Sequence, residues 1–108
     1  MDTIALHTVL RAGRERAYDD IHRTIPGDVA VALRTHGVRN WRIWRDGRDV
    51  FHLVEVDDYA AMRVALRDLP ANIRWQAAVS PFFDRPDDYA GNDPVAGRLW
   101  SLAEQLQI

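Results

Sequence analysis

The two residues best placed to do chemistry in this 108-residue chain are Tyr18 and His22. Four positions apart in a helical stretch, they fall on one face a turn apart, so a phenol and an imidazole stand side by side. An imidazole with an ordinary pKa of about 6.5 exchanges a proton near neutral pH, which makes His22 a candidate general acid or base. The alternative is a partly exposed helix histidine with no chemical task, and a helix tyrosine taken alone usually packs its ring and leaves its hydroxyl in water. Ala17 and Ile21, also four apart, form the apolar stripe that would seat this helix on a core.

Other chemistries find little support. The four histidines, His7, His22, His36 and His52, show no paired ligand spacing, and cysteine is absent. Disulfides and thiolate metal sites are therefore excluded, and a histidine metal site would need convergence from distant parts of the chain. The six glycines are isolated, so neither G-x-x-x-x-G-K nor G-x-G-x-x-G occurs. Ser80 and Ser101 lie in no nucleophile elbow. What remains is acid–base chemistry and aromatic binding. Trp is a favoured platform for sugar rings, and it also fills cores and interfaces. Trp44 and Trp100 read as packing residues, whereas for Trp41 and Trp75 both readings stay open. His52 on a sheet face and His36 at a helix end read as structural.

Net charge is −2 and every basic residue is Arg, with no basic stripe, which argues against a nucleic-acid partner. Hydrophobic residues make up 47% and charged ones 28%, enough to build a core in a single domain spanning 1–108. Met1-Asp2-Thr3-Ile4 lacks the basic and apolar regions of a signal peptide, and no apolar run approaches the ~20 residues of a membrane helix. A soluble, cytoplasmic protein with no membrane partner is expected.

The elements that must position Tyr18 and His22 can be read in order. Ile4 to Leu10 alternates as a strand that is largely apolar on both faces. The stretch Arg14 to Asp28 carries a short amphipathic helix interrupted by Pro26-Gly27, after which Asp28 is expected to cap a second run, Val29 to Arg34. Gly37 ends that run. Val38 to Trp44 and Val50 to Val56 read as strands joined by a hairpin at Asp46-Gly47. Asp57-Asp58 caps a helix over Tyr59 to Leu66, Pro70 opens another over Asn72 to Val79, and Asp84 to Pro94 is a loop. In the tail, Val95, Leu99, Leu102 and Leu106 fit a helical period, while Leu99 to Leu102 fits an edge strand equally well.

Strand, helix, strand, strand, helix and a final tail strand make the ferredoxin-like split β-α-β pattern of an α+β protein. Its helices cover one sheet face only. A first strand apolar on both faces asks for a second cover, and a second copy supplies it, so a homodimer, a dimeric α+β barrel, is predicted.

With these residues in place, the chain resembles the L-rhamnose mutarotases. The resemblance rests on Tyr18 and His22, Thr35-His36-Gly37-Val38-Arg39-Asn40-Trp41, Val54-Glu55, Arg74-Trp75 and Asn92-Asp93-Pro94-Val95, in order along nearly the whole chain. It implies a dimeric ferredoxin-like enzyme without cofactor, interconverting the α and β anomers of L-rhamnose, a 6-deoxy hexose. It assigns His22 as the proton donor and Tyr18 as a sugar-binding residue; Trp41 and Trp75 are then expected to stack on the sugar ring and Gln76 to hydrogen-bond a hydroxyl. Two positions depart from the family pattern: Trp41 stands where Tyr is common, and Gln76 replaces the second Trp of a pair. Both touch the expected pocket, so L-fucose stands beside L-rhamnose as a substrate. The same fold and a lone histidine among aromatics also suit a cofactor-independent monooxygenase or heme-degrading enzyme, or a ligand sensor without catalysis.

Overall fold

A computed structural model describes residues 1–87, 89, 91 and 93–108; Asn92 of the last matched motif lies outside the described residues. The chain runs β1 (Asp2–Val9), α1 (Glu15–Ile21), α2 (Gly27–Thr35), β2 (Val38–Asp46), β3 (Asp49–Val56), α3 (Tyr59–Arg67), α4 (Pro70–Val79), β4 (Val95–Ala96) and α5 (Leu102–Leu106). The sheet is antiparallel with order β2-β3-β1-β4. This is the α+β ferredoxin-like order: β1 and β2 are joined through helices and separated in the sheet by β3.

Strand alternation sorts the side chains. Ile4, Leu6 and Thr8 of β1 pair with Val54, His52 and Val50 of β3 and face the helices. Leu6 and Val54, with Ile4 packed against them, meet Val38, Tyr59, Met62 and Leu66 in one buried cluster, while Leu10, Val50, Val79, Phe83 and Tyr18 make a second. Burying each such side chain stabilises by about 1.5–3 kcal/mol. Asp58 caps α3 by accepting from Ala61 N–H, and Gly37 adopts φ +93° at the turn into β2. The opposite face, with Ala5, His7, Trp44 and Phe51, is exposed.

One irregularity decides what β2 presents. Val38 pairs with Val56, but Asn40 pairs with Glu55, leaving Arg39 as an extra residue. Side chains alternate strictly along a strand, so one inserted residue inverts the pattern. Val38 points inward before the bulge, and Trp41, Ile43 and Arg45 do so after it.

Two expectations are corrected. Asp28 does not cap α2; Pro26 holds that place, and the Asp28 carboxylate lies inside the first turn, accepting from Val29 N–H. Leu99 to Leu102 is not an edge strand. The strand is the shorter Val95–Ala96, which pairs with Leu6 and Ala5, and the helical period of the tail is realised only over Leu102–Leu106. Among the described residues no helix is long and apolar enough to cross a membrane.

Candidate active site

Between the two buried clusters lies a cavity of about 720 Å³, walled by residues of both, within the range of small-molecule sites. Tyr18 reaches it from α1 and His22 from the position just past its end, Trp41 from β2 beyond the bulge, and Trp75 and Gln76 from α4. All five residues singled out from the sequence thus line one space.

Tyr18 and His22 stack face to face, with ring centroids 3.9 Å apart and planes 27° apart. Tyr18 is 2% exposed and plugs its ring among Val50, Val79 and Phe83. Among the described residues its buried hydroxyl has no hydrogen-bond partner. Burial, reinforced by the nearby Asp19 carboxylate, raises its pKa, so the phenol stays protonated. His22 follows the last residue of α1 and turns its Nδ1 to the Tyr18 carbonyl at 3.0 Å. A carbonyl only accepts, so Nδ1 carries the hydrogen and neutral His22 keeps its lone pair on Nε2. Burial depresses the His22 pKa, opposed by that hydrogen bond and by Asp19, which favours neutral imidazole at neutral pH. Trp75 stands edge-on to His22, with centroids 5.3 Å apart.

Trp41 turns its one polar atom away from solvent. Its indole N–H donates to His52 Nδ1 at 3.1 Å, and His52 Nε2 lies 3.1 Å from the Thr8 hydroxyl. His52 is 9% exposed, and burial, with His22 and His7 nearby, lowers its pKa to about 4. Thr8 and His52 both reach the cavity wall, and the sequence reading missed them. Their contact joins residues 44 apart in the chain and depends on the β1–β3 register, which local pattern does not reveal. Gln76 donates to Asn72, which in turn donates to the Leu66 carbonyl, so the Gln76 amide oxygen is held near the wall.

Two ion pairs brace the rim. Arg45 of β2 forks onto Asp19 of α1 at 2.7 and 2.6 Å and holds that carboxyl below its usual range. Arg63 of α3, 9% exposed, forks onto Asp87 at 2.7 and 2.9 Å and lies 4.5 Å from the Tyr89 ring centroid. Asp87 and Tyr89 form cavity wall on that side. Tyr59 donates to Asp93 in the same group.

An imidazole nitrogen and a phenol that find no partner among the described residues, with two indole rings, thus surround one cavity on a split β-α-β scaffold, an arrangement capable of proton transfer. Residues 3–106 match the family described as L-rhamnose mutarotase. An L-rhamnose mutarotase of Opitutus terrae is 30% identical over 92 residues, covering 83% of this chain and 85% of the relative. The chain belongs to the L-rhamnose mutarotase family, a family of isomerases. In fold it matches an L-rhamnose mutarotase of Formosa agariphila with a TM-score of 0.76 at 15% identity, over 94% of this chain and 99% of the other. A putative antibiotic biosynthesis monooxygenase of Nitrosomonas europaea shares the architecture at a TM-score of 0.59 and 11% identity, over 80% and 90% of the two chains.

Proposed function

We propose that this chain interconverts the α and β anomers of L-rhamnose, with His22 as the proton-transfer group. The observation that carries the reading is the buried, unpartnered Tyr18 hydroxyl stacked beside a histidine whose Nε2 is left open. A sugar offers what both lack, a hydroxyl for the phenol and an exchangeable anomeric proton for the imidazole.

Ring opening moves one proton between two oxygens on the same carbon. Neutral His22 takes the anomeric O1–H proton at Nε2 while the C1–O5 bond breaks and C1 becomes an aldehyde. The resulting imidazolium, a stronger acid for being desolvated, gives that proton to O5. Rotation about C1–C2 then presents the other face of the aldehyde. O5 attacks, its proton returns through Nε2 to the carbonyl oxygen, and the imidazole is regenerated neutral. Such a positioned group typically contributes ~10²–10⁴-fold. Trp41 and Trp75 cover the ring and exclude water, Tyr18 orients a hydroxyl, and the Gln76 amide accepts another.

The proposal includes a homodimer built on the open sheet face. Trp44 and Phe51 are about half exposed there, beside Ala5 and His7, and a second copy laid on that face would bury them. Leu99, Trp100, Leu106 and Ile108 of the tail are also exposed and would gain cover from such a partner. The cysteine-free chain is compatible with a reducing compartment, and a cytoplasmic setting belongs to the same reading.

The direct test is NMR exchange spectroscopy of anomeric protons, with L-rhamnose and L-fucose taken separately. Accelerated exchange with L-rhamnose is expected. Acceleration with L-fucose alone would reassign the substrate, and none with either would overturn the reading.

A further inference from the structure

We propose that the Thr8 hydroxyl is a further sugar-binding group, and that His52 is the positioning residue that makes it a hydrogen-bond donor toward the cavity. The inference rests on the mutarotase reading and adds to its site.

The polarity of the Trp41–His52–Thr8 chain follows from its first member. An indole N–H only donates, so His52 Nδ1 must accept. A neutral imidazole accepting at one nitrogen carries its hydrogen on the other, so Nε2–H points at Thr8 Oγ1 and donates to it. A charged His52 would set two N–H groups against each other at Nδ1, and burial among apolar residues disfavours that form independently. With its oxygen accepting from His52, the Thr8 hydroxyl has its own hydrogen left to give. No second hydrogen bond of the Thr8 hydroxyl occurs among the described residues, and Thr8 borders the cavity.

The consequence is a division of labour between the two imidazoles. His22 presents a lone pair and accepts a proton, whereas both nitrogens of His52 are engaged and it cannot serve as the second base. His52 instead relays the direction of the Trp41 N–H to a hydroxyl whose own hydrogen is left to give. A sugar oxygen used as an acceptor, either the ring oxygen or a hydroxyl, is the complement. Trp41 itself contributes a ring face and no polar contact.

Three measurements on the full chain test this. Thr8→Val, nearly isosteric, should weaken L-rhamnose binding and slow anomer exchange by about 3- to 10-fold, the worth of one hydrogen bond. Thr8→Ser should restore both to within about 2-fold of the parent, again by the worth of the retained bond. If Val disturbs β1, Thr8→Ala carries the same loss of donor. In a His52→Leu background the Thr8→Val change should cost less than in the parent, because the donor is no longer held. Proton–nitrogen NMR of the unliganded protein should find His52 with its hydrogen on Nε2. Exchange by the parent with no loss in Thr8→Val overturns the Thr8 assignment alone. Additive effects of the two substitutions, or a hydrogen on His52 Nδ1, overturn the positioning role. A parent that neither binds nor exchanges L-rhamnose or L-fucose overturns the mutarotase reading, and the sugar role of Thr8 with it.

Discussion

The Tyr18 ring lies 3.9 Å from the His22 ring, centroid to centroid, and the Tyr18 carbonyl holds the Nδ1 hydrogen of the same histidine. One residue therefore both packs the imidazole and selects which nitrogen it offers. The arrangement follows from the i, i+4 spacing at the end of a short helix, where the carbonyl of the preceding turn is within reach of the side chain.

Replacing His22 by Gln keeps a polar side chain of similar length and removes the titratable nitrogen. Anomer exchange is expected to fall by ~10²–10⁴-fold with the melting temperature little changed, checked by exchange NMR and thermal denaturation. In the parent, activity requires neutral His22, whose pKa lies below the usual histidine value. The rate should hold constant through neutral pH and fall only on acidification below ~6.5.

Tyr18→Phe separates binding from stability in sign. An unpartnered buried hydroxyl costs about 1–3 kcal/mol, so its removal should leave the unliganded protein as stable or more stable in urea. The same change should raise KM for the sugar. A loss of stability would mean that the hydroxyl has a partner in the unliganded protein.

His52 should make stability depend on pH. Its pKa is about 4 folded against about 6.5 unfolded. As pH falls through that window the unfolded chain takes up a proton that the folded chain refuses, so stability falls with pH. The integrated effect is about 3 kcal/mol. Urea unfolding at pH 7 and pH 4.5 should lose more stability in the parent than in His52→Gln.

Arg63→Ala removes the fork that holds Asp87 and leaves that carboxylate near Asp93 with no guanidinium. Breaking a largely buried pair in this way costs about 3–5 kcal/mol, readable by denaturant unfolding. KM should rise as well, because Asp87 and Tyr89 form part of the cavity wall.

Phe51→Glu puts a charge in the middle of the open sheet face. The expected outcome is a shift from dimer to monomer in sedimentation equilibrium, with the monomer's secondary structure retained. A parent that sediments as a monomer would remove the dimer from the proposal.

Much of the scaffold was legible because its signals are local. Asp46-Gly47 announces the β2–β3 hairpin, Gly47 adopting φ +59° there; Asp58 marks the start of α3; the Tyr18/His22 spacing anticipates their stack. What escaped depends on distant registration. The role of His52 needs Thr8 from β1 and Trp41 from β2 to arrive together, and neither spacing hints at it. The tail failed for a different reason: a strand of two residues is too short to display any period.

The bulge at Arg39 changes the parity of β2: Val38 points inward before it, and the odd-numbered residues Trp41, Ile43 and Arg45 point inward after it. A single strand thus writes two surfaces in antiphase. Drawing Arg39 into the ladder opposite Glu55 would slip every later residue by one: Trp41, Ile43 and Arg45 would turn to the open face, and Asn40, Arg42 and Trp44 would turn to the cavity. The site would forfeit its indole wall, the His52 relay its donor, and Asp19 its guanidinium, although every side chain concerned would still be present. In comparing this chain with its relatives, a one-residue slip at position 39 is therefore a change of surface, whatever the identities on either side.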